Sequence, residues 1–262
     1  SNSATSGGFG PNQVSTIFGL GMFLAFTRFL FFSKQLKWQI FHLVLLLLFT
    51  FRGIITFSRG GVITGVVMIF FLIIAVFPLI SIKGKLKIGF ASVLLVVSGV
   101  IIFTYSILQT GGLILNRYQG EDALGREKKS KFSGREQLAE SELKMFLESP
   151  ILGIGVGKNK EYREEMIGIK GASHNEITRM LAEHGMFGIF ALIILFTIPF
   201  AYYFSWNRKY IFMIPLWMFW LLTINHAAMR TAAPAFIYAL TLLKFNFSIK
   251  QDENTLPREQ IK

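Results

Sequence analysis

The residues best suited to chemistry stand at 173–176, Ser-His-Asn-Glu, where a polar cluster runs directly into an apolar span. Ser173 and Glu176 have capping-box spacing, which predicts a helix starting at Ser173 with His174 and Asn175 in its first turn. A first turn presents unpaired N–H groups and the positive end of the helix dipole, so it favours phosphate and disfavours imidazolium. A neutral His174 would then be available as a general base. The alternative is a solvated surface histidine, and this stretch alone leaves both readings open.

The elements that must carry this cluster belong in a membrane. The chain has 262 residues, 52% hydrophobic with 28 Phe, and its mean hydropathy of +0.51 is too high for a soluble domain of this length. It contains no Cys, which excludes disulfides and thiolate metal sites. The net charge of +12 does not read as a nucleic-acid surface once the charges are placed. Residues 109–184 carry 12 Lys+Arg and 12 Asp+Glu, whereas the other 15 basic residues lie among apolar spans, short loops and the tail. That is the distribution of a topology signal.

An all-α, polytopic transmembrane bundle of about seven spans follows from the apolar runs. Four are expected within residues 1–108, near 13–32, 38–57, 61–82 and 88–108. A large polar segment occupies 109–184, three further spans fall near 185–204, 210–224 and 232–247, and 248–262 form a tail. The loops with Lys34/Lys37, Lys83/Lys85/Lys87 and Arg208/Lys209, and the tail after Lys244, all fall on one side. The positive-inside rule makes that side cytoplasmic. Segment 109–184, the Ser58–Gly61 turn (SRGG), and Asn225, His226 and Arg230 are therefore expected on the extracytoplasmic face. The chain opens on a small polar run without Met, SNSATSGGFGPN, and is expected to be part of a longer polypeptide.

Several arginines need a reason to be where they are. Arg28 lies near the cytoplasmic end of its span and can snorkel. Arg52 is expected inside the outer leaflet, where a central Arg costs about 2.5–3.5 kcal/mol, so a carboxylate from a missing N-terminal span or an anionic ligand should face it. Arg59 sits at the membrane surface, where a cation alone means an interfacial anchor. Ser133 and Glu136 form a second capping box, followed by Ala139, Leu143, Phe146 and Leu147 at helical spacing. Arg135 falls in that helix's first turn, a poor place for a cation unless an anion is close.

Two glycine patterns carry less. In PILGIGVGK (150–158) three residues separate Gly153 from Gly157 and Asn159 follows Lys158, which breaks Walker spacing and favours a tight turn. Gly61 and Gly65 read as helix packing, and Lys160–Lys170 as a solvated helix.

In order, SRGG (58–61), SGR (133–135) ahead of an amphipathic helix, SPILGIGVG (149–157), His174-Asn175 and LAEHGMFGIF (181–190) resemble the C-terminal half of the O-antigen ligase and polymerase superfamily. GGFGPN (7–12) is similar to that family's turn ahead of a span. The resemblance implies a multi-pass glycosyltransferase of the bacterial cell membrane that takes a glycan from an undecaprenyl pyrophosphate carrier on the outer face. It implies no cofactor and no metal. Arg59 and Arg135 match the family arginines and would hold the donor pyrophosphate, and His174 matches the family histidine that takes the proton of the acceptor hydroxyl. Asn175 would orient the acceptor or the imidazole, and Glu183 matches a recurrent acid. Arg179, four residues earlier, also makes Glu183 a candidate for a helix-surface ion pair. Arg52, His226 and Arg230 have no motif match and stand as supporting candidates on the same face. Leu138 and Ala139 depart from the family, many of whose members have Trp there, and this bears on the acceptor.

The expected partners are the lipid-linked glycan donor, a glycan or lipid acceptor and membrane lipids, with no nucleic acid. The expected function is glycan polymerisation or ligation. A lipid-glycan flippase is the alternative, but it would call for midmembrane charge pairs and interrupted helices in both halves, whereas these polar residues cluster at one face.

Overall fold

The computed structural model describes residues 6–33, 35–122, 124–126, 135–169, 171–206, 210–227, 229 and 231–243. Lys34, Ser133, Lys170, Arg208, Lys209, Arg230 and everything from Lys244 onward, named above for topology, capping or site roles, lie outside the described residues. The described elements are helices: α1 (Pro11–Thr27), α2 (Leu36–Ile55), α3 (Arg59–Val76), α4 (Ile82–Gln109), α5 (Leu113–Gln119), α6 (Arg135–Glu148), α7 (Asn159–Ile167), α8 (Glu176–His184), α9 (Met186–Trp206), α10 (Met213–His226) and α11 (Ala232–Leu240). The all-helical membrane architecture expected from composition is therefore present.

Five helical stretches are long and apolar enough to cross a bilayer: Pro11–Phe32, Leu36–Ile55, Arg59–Leu79, Ile82–Gln109 and Met186–Ser205. The segments expected as a sixth and a seventh span are shorter helices among the described residues, and 244–247 lie outside them. Helix α10 has 14 residues and α11 has nine, short of the roughly 20 that a crossing requires. In α10 Phe219, Trp220 and Ile224 are buried, whereas Phe236 of α11 is exposed. Helix α10 packs against both α3 and α11. Apolar composition cannot separate a buried core helix from a lipid-facing one of similar length, which is why the two segments looked alike in sequence.

The centre of the bundle is the crossing of α1 and α3, made close by small residues. A Cβ added at Gly61 would lie 2.0 Å from the Ser15 carbonyl, and one at Gly19 would lie 2.0 Å from the Gly61 oxygen. This is the packing role expected of Gly61 and Gly65. Pro11 opens α1 at a position where its missing N–H is not needed.

Helices α6, α7 and α8 are joined by buried charge. Arg163 of α7 is 0% exposed and Glu142 of α6 is 1% exposed. The guanidinium donates to Ser141 Oγ at 2.9 Å, to Glu142, to Asn159 Oδ1 and to the Gly171 carbonyl. Glu142 also accepts from Asn159 Nδ2 at 3.1 Å and from the Thr178 hydroxyl on α8. Stretch 160–169 is thus more than a solvated helix, because its central arginine neutralises a carboxylate contributed by α6.

The glycine-rich loop after α6 closes the end of α8. Ile154 N donates to Ala182 O at 2.9 Å and Gly155 N to Glu183 O at 3.2 Å, satisfying carbonyls a helix end leaves open. Gly153 has φ +72°, and a Cβ there would fall 2.4 Å from the Glu183 carbonyl carbon, so both conformation and space require glycine. The tight-turn expectation describes this loop.

Candidate active site

The start of α8 is later than the capping-box spacing predicts. Asn175 is the N-cap, its side chain accepting from Ile177 N at 2.9 Å. Ser173 Oγ instead accepts from Asn175 N at 3.2 Å and donates to Asn175 O at 2.8 Å. Asparagine is at least as good a cap as serine, and here it wins. Glu176 does not reach back to its own helix start. Its carboxylate accepts from Arg179 at 2.6 Å and from Met229 N at 3.1 Å, tying α8 to the connection after α10. His174 therefore stands before the helix, in a bend, and not in its first turn.

That placement sets His174 between two hollows. The larger, of about 400 Å³, is lined by Arg135, Glu136, Leu138, Ala139, Glu142, Ser173, His174, Asn175 and Asn225. The smaller, of about 150 Å³, is lined by the Gly10–Gln13 turn, Phe57, Arg117, His174 and Ala227. Among the described residues, His174 is common to both. Arg135 and Asn175 share the larger hollow with it. Arg59 lines neither, although its charge is felt by Arg117 in the smaller one.

The two arginines are cross-braced. Arg59 donates from a terminal nitrogen to Tyr118 O at 3.2 Å, with its guanidinium 5.8 Å from the Tyr118 ring centroid. Arg117 donates from Nε to Phe57 O at 3.3 Å. Each cation is thus held by the backbone of the segment carrying the other. Burial, and then the Arg59 charge beside it, hold Arg117 below the ordinary arginine value. Phe57 has φ +58°, an uncommon conformation for a bulky side chain, and it turns the carbonyl that Arg117 uses.

A polar seam fastens this turn to α1 and α10. Ser15 Oγ donates to Ser58 O at 2.8 Å, Ser58 Oγ donates to Asn12 Oδ1 at 2.8 Å, and Asn12 Nδ2 donates to His226 O at 3.1 Å. His226 completes the seam. Its Nδ1–H donates to Leu222 O at 2.7 Å, and Nε2 lies 3.0 Å from the Thr16 oxygen, whose hydroxyl donates to Asn12 O at 2.8 Å. Burial lowers the His226 pKa, the Leu222 carbonyl opposes that shift, and the Arg135 charge adds to it. The ring also presses on α3, since a Cβ at Gly60 would lie 2.6 Å from it.

The other candidates lie apart. Arg52 is exposed on α2 and lines neither hollow. Glu183 is buried on α8, with Arg179 Nε 3.9 Å away, although Arg179 makes its shorter contact with Glu176. Among the described residues, no group of three or more His, Asp or Glu is placed to hold a metal. Sequence reasoning missed Arg117, because its weight comes from Phe57, sixty positions earlier. It also missed Asn12 as a bridge, having noticed only the turn that contains it.

Comparison with curated proteins and with solved structures gave no match. A family model described as O-antigen ligase matches residues 42–193, a stretch that holds Arg59, Arg117, Arg135, Glu142 and His174. This is more than half of the chain, and the protein belongs to the O-antigen ligase family, whose members carry out membrane glycan transfer.

Proposed function

We propose that the protein transfers a glycan from an undecaprenyl pyrophosphate carrier to an acceptor hydroxyl at the extracytoplasmic face of the bacterial cell membrane, as a polymerase or ligase. The observation that carries this reading is that His174 forms the shared wall of two hollows, one bearing Arg117 with Arg59 beside it, the other bearing Arg135. The acceptor oxygen attacks the anomeric carbon as the bond from that carbon to the phosphate oxygen breaks. His174 takes the hydroxyl proton, and the electron pair leaves with the lipid pyrophosphate. Attack from the face opposite the leaving group inverts the configuration. Arg59, Arg117 and Arg135 bind the pyrophosphate and stabilise the charge it gains on departure, where a charge-assisted hydrogen bond is worth about 1.5–3 kcal/mol. The polar lining of the larger hollow, Asn175, Asn225 and Glu136, suits the hydroxyl groups of a glycan acceptor.

In membranes containing the intact protein and a lipid-pyrophosphate glycan donor, His174→Ala lowers transfer about 10²- to 10⁴-fold, the usual contribution of a general base, while donor binding persists. Arg59→Ala and Arg117→Ala each weaken donor binding about 10- to 150-fold, which is the hydrogen-bond range above converted. Transfer by His174→Ala within a few-fold of wild type removes the base assignment. Unchanged donor affinity in both arginine variants removes the pyrophosphate seat. The product separates the two outcomes of transfer, a lengthened lipid-linked chain for a polymerase and a glycan on a different acceptor for a ligase.

A further inference from the structure

The loop from Pro150 to Gly157 turns apolar side chains outward. Ile151 is 64% exposed, Leu152 71% and Val156 74%, and Leu147, one helical turn before the loop, is 68% exposed. These residues do not project from a frayed segment. Gly153 N donates to Ser149 O at 2.9 Å, and Ile154 and Gly155 are bonded to the end of α8. Gly153, Gly155 and Gly157 have positive φ angles, and in the turns they make Ile151, Leu152 and Val156 are exposed while Ile154 is half-buried. An ordered loop that satisfies its backbone internally and directs only aliphatic groups outward is suited to an apolar surface.

The place of the loop identifies that surface. Met186, the first residue of α9, donates its N–H to Pro150 O at 2.8 Å and to Ile151 O at 3.2 Å. Helix α9 begins the span Met186–Ser205, and Met186 and Phe187 are themselves exposed. The loop is thus level with the first turn of a membrane helix, and its apolar tips continue that helix's lipid-facing surface. Charged residues border it on both sides, Lys144 and Glu148 before and Lys158 and Lys160 after. An apolar tip inside a charged margin is the arrangement of a segment seated at the boundary between head groups and acyl chains.

We propose that the Pro150–Gly157 loop is an interfacial membrane anchor that inserts Ile151, Leu152 and Val156 into the lipid beside the start of α9. Through its bonds to Ala182 and Glu183 it ties the end of α8, the helix that follows His174, to the bilayer surface.

The test uses single-site labelling: residues 1–262 contain no Cys, and any cysteine elsewhere in the intact protein is replaced by serine. Leu152→Cys and Val156→Cys carry a nitroxide label in the intact protein, reconstituted in phosphatidylethanolamine and phosphatidylglycerol vesicles. The label's collision rates with oxygen, which concentrates in lipid, and with a water-soluble nickel chelate are then compared. Lys160→Cys supplies a water-exposed reference and Phe190→Cys a lipid-facing one. At 152 and 156 the oxygen-to-nickel ratio is expected several-fold above the Lys160 position and below the Phe190 position. A ratio equal to that at 160 puts the loop in water and overturns the anchor. Exclusion of both reagents means that polypeptide covers the loop, which overturns it as well. Glycan transfer is not read in this experiment, so its failure is independent of any failure of the transfer mechanism.

Discussion

Replacing Arg163 by methionine tests how the polar segment around His174 is held together. Arg163 and Glu142 are 0% and 1% exposed, so removing the guanidinium leaves a carboxylate in the interior that cannot turn to water. Breaking a buried pair from one side costs about 3–5 kcal/mol. At 1.36 kcal/mol per power of ten, this multiplies the opening equilibrium of α6, α7 and α8 by about 10² to almost 10⁴. The damage should stay local, because Arg163 bonds to α6, to its own helix and to the segment before α8, and none of its hydrogen bonds reaches α1–α3. Hydrogen exchange of the intact protein in lipid discs should show amide protection in 135–184 reduced by that factor, with α1–α3 unchanged. Adding Glu142→Gln to the methionine variant should recover part of the loss, since the group left behind is then neutral. A change under about tenfold, equal loss in α1–α3, or no recovery in the double variant would refute the argument that one buried charge pair unites the three helices.

Gly61→Ala places a methyl group about 2 Å from the Ser15 carbonyl, where backbone must move, and should cost about 1–3 kcal/mol in thermal unfolding, with loss of transfer because Arg59 begins the displaced helix. His226 has a folded-state pKa below its ordinary 6.5, so the unfolded chain takes up a proton that the folded protein resists. Stability contributed by the neutral ring is present above pH 6.5, falls as pH drops through that value, and levels off below the folded pKa. His226→Asn should flatten that part of the melting-temperature profile between pH 7 and 5, and an identical profile in both proteins would remove His226 as its source.

The fold could be read from sequence wherever a pattern was local. Gly61 and Gly65 announce a close crossing without showing that Ser15 and Gly19 are the partners, and the failed Walker spacing at 153–158 already marks a turn. Local spacing misled at Ser173, where two acceptable caps stand two residues apart and the choice rests on which backbone N–H each side chain can reach. The segments at 210–224 and 232–247 are as apolar as the longer spans, but hydrophobicity alone does not state what a helix faces. Arg163 was the least visible residue. Within Asn-Lys-Glu-Tyr-Arg-Glu-Glu every neighbour suggests solvent, and only the carboxylate of Glu142, 21 positions earlier, makes its burial possible. Arg117 was hidden for the same reason, since its distinguishing contact is with the carbonyl of Phe57.

The arrangement of Arg59 and Arg117 runs against folding stability, and that is the physical argument for its use. Burial first, and then repulsion from the Arg59 guanidinium, push the Arg117 pKa down. Phe57 adds to the strain, because a non-glycine residue in the left-handed region costs of order 1–3 kcal/mol. Among the described residues neither arginine has an ion-pair partner, and their hydrogen bonds go to the neutral carbonyls of Tyr118 and Phe57. A carbonyl fixes the direction of a guanidinium without neutralising it. A carboxylate partner would instead have cancelled the attraction for an incoming anion. Under the transfer proposed above, a donor phosphate entering the smaller hollow meets an Arg117 guanidinium already oriented by the Phe57 carbonyl, and its charge offsets the repulsion from Arg59.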